Sequence, residues 1–389
     1  MWDELKKALS AHPAYREVAA AMGRENGSAR AAGLYGSARA LLIVRLAEEL
    51  REPLLIVAPD PVRARDMEDD LRLFGLEGVV AYPEDEILPY DYHDPDRNLT
   101  GMQMRALDAL GRGSARALVC TLRGALKKVY SPALFRRLAF DVRSLEERDP
   151  VELASTLARL GYERHETVEA KGMFAVRGGI LDLFAVAEDE PVRMEWDGDR
   201  IVSMRSFDIE TQRSTVAREG LRVHPPSHIY LDPEGVARLA ERLRRASAAL
   251  GERERATHLL AADRLEKGIP FFGMEHYAAA VHDVVSLFDH FPKPPVVVVV
   301  DADEVETALV EFRAEIAERH ARSRGEGNLY PEPDEVYVGE EEFASRLARR
   351  VGRRGLGALP GDAGRRQAAV AEVTSQPLLA ARAGIFGLS

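Results

Sequence analysis

A glycine-rich stretch, GLYGSARALL, begins at Gly33 and has the composition of a phosphate-binding loop. A working loop has the form GxxxxGK[ST], in which the lysine neutralises the β- and γ-phosphates and the hydroxyl group holds magnesium. Gly36 and Ser37 are present, but Arg39 stands at the lysine position and Ala40 at the hydroxyl position. We therefore predict a degenerate loop and no bound cofactor. A glycine turn that opens a helix explains the same residues.

Two carboxylates, Asp301 and Asp303, follow the apolar run PPVVVVV, where a nucleotide hydrolase carries its acidic metal ligands. An alanine separates them, so the pair departs from the usual DExH sequence, and a solvated turn is the simpler interpretation. The histidines and serines form no HExxH or GxSxG pattern. We predict no catalytic residue and no metal site. Cys120, in the apolar stretch ARALVCTL, is interpreted as a buried core thiol.

Helical and strand patterns alternate along residues 1–128, with strands at PLLIVAPD, GVVAYP and ARALVCTL. This alternation predicts an α/β fold with a parallel sheet covered by helices. Residues 229–327 return to helices around PPVVVVVDAD, and we expect that strand to rejoin the same sheet. Residues 328–389 predict a small C-terminal α/β unit with an Arg-rich helix, which a solvated face explains as well as a nucleic-acid patch does. We expect the chain to be cut from a longer protein.

The character changes over residues 129–228, where FAVRGGILDLFAVA and PVRMEWDGDRIVSMRSFD predict an inserted β-rich (α+β) domain. The Asp-Gly pair that begins at Asp197 lies between two alternating runs, which is a strong hairpin signal. Successive residues of a strand point to opposite faces, so Met194 and Trp196 would share one face and Arg193 would point to the other.

Composition limits the classes of partner. With 53 Lys and Arg against 64 Asp and Glu, the formal net charge is −11. A free-standing duplex binder is usually basic, so nucleic acid is not the expected partner of this chain. The amino terminus has no apolar signal region and no apolar run is long enough to cross a bilayer. Together with the single cysteine, this predicts a cytoplasmic protein without a membrane partner.

Four strings resemble the bacterial transcription-repair coupling factor family (Mfd). They are GLYGSARALL, LPYDYHDPDRNLTGMQMRALDAL, KGMFAVRGGILDLFAV with PVRMEWDGDRIVSMRSFDIETQRS, and AEIAERHARSRGEGNLYPEPDEVYV. The third is the most specific and looks like the module that the family shares with the excinuclease protein UvrB. The resemblance implies a degenerate P-loop, helicase-like domain without ATPase activity, and an inserted domain that recruits the excinuclease protein UvrA in nucleotide excision repair. The longer parent would be an ATP-dependent DNA translocase that binds RNA polymerase and DNA.

The resemblance places the partner-binding residues on the inserted domain: Arg177 in FAVRGG, Arg193 in PVRMEW, and Trp196. Arginine suits such a site because its planar fork binds carboxylates through two hydrogen bonds. We expect truncation of either arginine to weaken partner binding without lowering the melting temperature. Asp197 stands where the family has a second aromatic residue, so one contact is missing. Alternation also allows Trp196 to be a core residue.

Two other functions stay open at this point. One is a free-standing regulatory or structural UvrB-like protein without pathway activity. The other is an active UvrB-like ATPase that binds DNA damage. Against the second, the segment YDYHDPDRNLTGMQM is too short for the aromatic hairpin with which UvrB clamps DNA. A nucleotide-binding measurement would test the second function, and an open reading frame continuing beyond Ser389 would exclude the first.

Overall fold

The computed structural model contains two larger β-sheets, one parallel and one mostly antiparallel, which share a hydrophobic core. The main cluster of buried side chains includes Leu118 of the first sheet and Met194 of the second. The residues that the structure describes are 2–22, 29–32, 34, 36–85, 90, 96–269, 271, 273–351, 355–356 and 369–372.

Several helices begin at an Asp-Pro pair. The side chains of Asp60, Asp149 and Asp232 each accept a hydrogen bond from a backbone N–H of the first turn, and proline follows at the first helical position. None of the described helices is both long and apolar enough to cross a bilayer. The α-helices are α1 (Trp2–Ala11), α2 (Pro13–Met22), α3 (Ala38–Leu50), α4 (Pro61–Leu73), α5 (Arg97–Gly111), α6 (Leu122–Leu126), α7 (Pro132–Leu138), α8 (Pro150–Leu160), α9 (Pro233–Ser247), α10 (Glu252–Glu266), α11 (Ala278–Val281), α12 (Ala302–Gly325), α13 (Pro333–Val336) and α14 (Glu340–Val351).

The strands are numbered in chain order across all sheets. They are β1 (Ala29–Ala32), β2 (Leu54–Ala58), β3 (Val79–Tyr82), β4 (Ala117–Thr121), β5 (Val129–Tyr130), β6 (Phe140–Arg143), β7 (Glu163–Arg164), β8 (Met173–Arg177), β9 (Ile180–Leu183), β10 (Val192–Asp197), β11 (Arg200–Phe207), β12 (Ser214–Ala217), β13 (Gly220–Val223), β14 (Val284–Val285), β15 (Val296–Val299), β16 (Gly355–Leu356) and β17 (Ala369–Glu372).

The first sheet has the order β17-β1-β16-β15-β2-β4-β3, and its paired strands are parallel. Strands β2, β4 and β15 are buried along their whole length, which explains their continuous apolar sequences. Strand β15 pairs with β2, so the segment 229–327 rejoins the first sheet as predicted. The predicted parallel α/β architecture is confirmed. Cys120 lies in β4 with 1% exposure, and burial raises the pKa of its thiol.

The second sheet has the order β12-β11-β10-β9-β8-β7 and is antiparallel except between β7 and β8. The predicted hairpin is present as β10 and β11. Its turn lies one residue later than the Asp-Gly pair indicated, because Asp197 still pairs with Arg200 and the central residues are Gly198 and Asp199. Gly198 has φ +62°, a left-handed conformation that favours glycine.

The described part of the segment 328–389 differs from the predicted separate unit. Strand β16 pairs with β15 and β1, and β17 pairs with β1, so both extend the first sheet. Helix α14 is fixed through Arg346, whose guanidinium pairs with Asp289 of the preceding segment. Strand pairing across such sequence distances leaves no local signal, so the sequence alone favoured a fourth unit.

Three buried histidines lie around Tyr130. The side chains of His228, His282 and His290 are each less than a tenth exposed. His282 stacks on the Tyr130 ring with centroids 4.7 Å apart, and His290 Nε2 lies 2.7 Å from the Tyr130 carbonyl oxygen. Burial lowers the pKa of all three imidazoles, and the nearby positive charge of Lys127 adds to the effect on His228, whose pKa falls to about 3.

Acid is expected to destabilise the fold well before the carboxylates titrate. His228 stays neutral when folded, whereas the unfolded chain binds a proton below about pH 6.5, so stability present above that pH is lost as the pH falls. For His228 alone the loss at pH 5 is about 2 kcal/mol. Urea denaturation at pH 7.5 and pH 5 measures it. The His228→Gln variant should show a smaller change in the free energy of unfolding between the two pH values, and the variant of the exposed His165, His165→Gln, should not. Identical pH profiles for the unaltered chain and both variants would contradict the assignment of this effect to His228.

Candidate functional site

The two arginines predicted to bind a partner lie on the outer face of the second sheet. Arg193 of β10 is opposite Asp182 of β9, and Arg177 of β8 is opposite Ile180 of β9. Positions 180 and 182 are two residues apart and therefore share a face. The sheet thus brings Arg177 and Arg193 to the same side, around one aspartate.

Asp182 is the centre of this cluster. Its Oδ1 accepts a hydrogen bond from Arg193 Nε at 2.7 Å, and its Oδ2 accepts from Arg193 Nη2 at 2.8 Å and from Arg177 Nη2 at 2.5 Å. The Asp182 side chain is 1% exposed. Sequence reasoning missed this residue, because its alternation with Leu181 and Leu183 predicts an aspartate that faces solvent on the outer side of the sheet.

The two arginines differ in how much of the guanidinium is available. Arg193 also donates from Nη1 to the carbonyl oxygen of Gln212 at 3.0 Å and lies over the Phe207 ring, 4.8 Å from its centroid. Its side chain is 15% exposed, against 47% for Arg177. The hydrogen bond to Asp182 raises the pKa of Arg193, so the Arg193 guanidinium stays protonated.

We therefore expect removal of the Arg193 side chain to lower the stability of the fold, which differs from the expectation from sequence. Its truncation would leave the buried Asp182 carboxylate with a single hydrogen bond from Arg177. Uncompensated buried charges are strongly destabilising. We therefore expect truncation of Arg177, but not of Arg193, to leave the stability nearly unchanged.

A third cation on this face was not predicted. Arg205 of β11 is directly opposite Arg193, is exposed, and has no partner among the described residues. Like charges opposite each other on a sheet repel, but here Asp182 neutralises Arg193. The only sequence signal for Arg205 is its place in the alternation of β11.

Trp196 lies on the inner face, as its alternation with Met194 predicted, and packs against the main core. Its indole Nε1–H donates to the Arg148 carbonyl oxygen at 2.7 Å. A shift of register between Glu195 and Trp196 marks the end of the regular pairing. This environment favours the structural role for Trp196. Asp197 is exposed at the end of the strand.

The segment around Gly36, which the sequence predicts to be a degenerate phosphate loop, is held by internal contacts. Gly36 has φ +55°, and Ser37 Oγ–H donates to Asp70 Oδ1 at 2.9 Å. Arg39 Nη1 donates to Asp301 Oδ2 at 2.6 Å, across 262 residues of sequence. Gly33 lies outside the described residues. The arginine at the lysine position is thus neutralised by a carboxylate of the protein itself.

Asp301, predicted to lie in a solvated turn, precedes α12 with φ +52°. Its Oδ2 also lies 3.2 Å from Arg63 Nε, so two guanidinium groups share one carboxylate. Asp303 lies in the first turn of α12. Among the residues that the structure describes, no three His, Cys, Asp or Glu side chains are grouped as metal ligands.

Comparison with known proteins is consistent with this geometry. Residues 140–229, which contain the arginine face, match the UvrB interaction domain. The chain is 33% identical over 339 residues to a transcription-repair-coupling factor of Myxococcus xanthus, covering 82% of this chain and 28% of that protein. This chain is related to the amino-terminal region of the transcription-repair-coupling factors. Coupling factors of Bacillus subtilis and Escherichia coli are 29% and 24% identical over 56% and 81% of this chain.

The predicted family resemblance is therefore confirmed. The chain spans 28%, 19% and 27% of the lengths of these three coupling factors. The match to the UvrB interaction domain begins at β6 and extends beyond β13, so it contains the whole second sheet.

Proposed function

We propose that this chain recruits the excinuclease protein UvrA in transcription-coupled nucleotide excision repair, as the amino-terminal module of a longer coupling factor. The observation that carries the proposal is the outer sheet face with Arg177, Arg193 and Arg205, which lies within the match to the UvrB interaction domain. The names of the relatives support the repair context. Stalled RNA polymerase and DNA are proposed partners of the longer parent, which would use ATP to translocate.

The chemistry of the face suits an acidic partner surface. Arg177 and Arg205 are both exposed enough to donate paired hydrogen bonds to carboxylates. The chain as a whole carries a formal charge of −11, so a cationic face is a local exception. Attraction between exposed charges is screened by salt, and the affinity should fall as the ionic strength rises.

Calorimetric titration of the whole chain into purified UvrA tests the proposal. Saturable binding is expected, with a Kd that rises between low and high salt. Absence of binding at low salt would contradict the proposed function.

We also propose that the first sheet belongs to a degenerate P-loop, helicase-like domain that has lost nucleotide binding. The ion pair between Arg39 and Asp301 supports this proposal, because Asp301 neutralises the guanidinium that would otherwise be available to a phosphate. Ala40 supplies no hydroxyl group for magnesium.

The corresponding prediction is that a fluorescent ATP analogue with Mg²⁺ shows no saturable binding at micromolar to millimolar concentrations. Anisotropy of the analogue measures this, with the Arg39→Ala variant as a control that removes the cation at the lysine position. Saturable binding that is lost in Arg39→Ala would contradict the proposal and favour an active ATPase.

A further inference from the structure

On the outer face of the second sheet, a buried carboxylate, Asp182, lies beneath the side chains of Arg177 and Arg193. Asp182 is 1% exposed and lies in the middle of β9, where an apolar residue would be less costly to bury. Both of its oxygens accept hydrogen bonds, and the donors are arginines from the two neighbouring strands. A buried carboxylate with this arrangement restricts both side chains to defined orientations.

The restriction acts differently on the two arginines. Arg193 has Nε, Nη1 and Nη2 engaged with Asp182 and with the Gln212 carbonyl, and one face of its guanidinium lies on Phe207. Arg177 is held to Asp182 through Nη2, and its side chain is 47% exposed. A guanidinium carries five N–H donors, so Arg177 keeps donors for another molecule.

We infer that Asp182 is a positioning residue for partner binding: clamped by Arg193, it holds the Arg177 guanidinium ready to bind a carboxylate of the partner. The inference rests on the proposed function and assigns the recognised group to an acidic segment. An arginine that is already ordered loses less conformational entropy on binding than a free one. Arg193 supports this arrangement through its two hydrogen bonds to Asp182.

The position of Arg205 indicates the size of that segment. Arg205 and Arg177 lie on β11 and β8, three strand spacings or about 14 Å apart across the sheet, and Arg177 is also displaced by two residues along the strand direction. Asp182 and Arg193 lie on the two strands between them. A partner that contacts both exposed cations needs carboxylates distributed over a comparable distance.

A double-mutant cycle tests the positioning role. The variants are Asp182→Asn, Arg177→Ala and the combination, each titrated with purified UvrA well below its melting temperature. Asp182→Asn should weaken binding about tenfold in the unaltered chain and less than about twofold in the Arg177→Ala background, because coupled residues show non-additive effects. A purely structural aspartate would produce the same factor in both backgrounds.

The possible results distinguish failure of the positioning role of Asp182 from failure of the proposed function. Unchanged affinity of Asp182→Asn, or equal factors in both backgrounds, would overturn the positioning role while the proposed function stands. No binding by the unaltered chain would overturn both. If Asp182→Asn does not fold, Arg193→Lys keeps a cation beside Asp182 but loses the paired hydrogen bonds. That variant is expected to bind several-fold more weakly, and unaltered affinity would overturn the inference.

Discussion

Truncating Arg193 to alanine is expected to lower the free energy of unfolding of the second sheet by about 3–5 kcal/mol. Arginine side chains donate three hydrogen bonds to Asp182, and the variant removes two of them. The Asp182 side chain is 1% exposed. It also removes the contact between the guanidinium and the Phe207 ring. Both losses fall on the same buried cluster, so the effect exceeds that of an exposed ion pair.

Tryptophan fluorescence can follow this unfolding transition. The chain has two tryptophans, and Trp196 lies in the second sheet, so a Trp2→Phe background isolates the signal. In urea denaturation the Arg193→Ala midpoint should fall clearly. The matched control is Arg205→Ala on the neighbouring strand, which should change stability by less than about 0.5 kcal/mol. Equal midpoints for the two variants would show that Asp182 does not depend on Arg193.

Truncating Arg177 to alanine is expected to produce the opposite pattern, a large loss of affinity with little loss of stability. An arginine anchor of an interface contributes about 2–4 kcal/mol, so the Kd for UvrA should rise at least about tenfold. Stability should fall by less than about 1 kcal/mol, because Arg177 is half exposed and Arg193 still donates hydrogen bonds to both oxygens of Asp182. Calorimetric titration and urea denaturation of the same sample measure the two quantities.

The control for Arg177→Ala is Arg159→Ala in the same domain. Arg159 lies on α8 and its guanidinium donates to Ser155 and Thr156 within that helix. Its removal deletes a positive charge without touching the sheet face, so Kd should stay within about twofold. If both variants bind equally, the effect is one of net charge and the outer face is not the site.

The sequence predicted the elements whose signal is local. The apolar runs of β2, β4 and β15 indicated buried parallel strands, and the alternation around Met194 indicated which residues of β10 face the core. These patterns suffice because each strand carries its own periodicity. The turn of the hairpin was misplaced by one residue, since an Asp-Gly pair leaves the register of the final strand pair open.

The candidate site was only partly predictable for a different reason. The motif RGGILDLF named Arg177 but could not show that Asp182 bonds to it, because that contact depends on the register of β8 and β9. In the same way, whether Arg193 contacts a partner or bonds to Asp182 depends on the relative register of three strands. The ion pair of Arg39 with Asp301 joins the first and second parts of the α/β domain, and no local pattern reports it.

The proposed binding of UvrA to the second sheet can be tested directly by hydrogen–deuterium exchange of the chain, alone and mixed with UvrA. Binding to the outer face should slow exchange at the turns 178–179 and 198–199 beside β8 and β10. Exchange in α9 and α10 should stay unchanged. Slower exchange confined to helices of the α/β domain, with the two turns unaffected, would contradict the assignment of the arginine face as the binding surface.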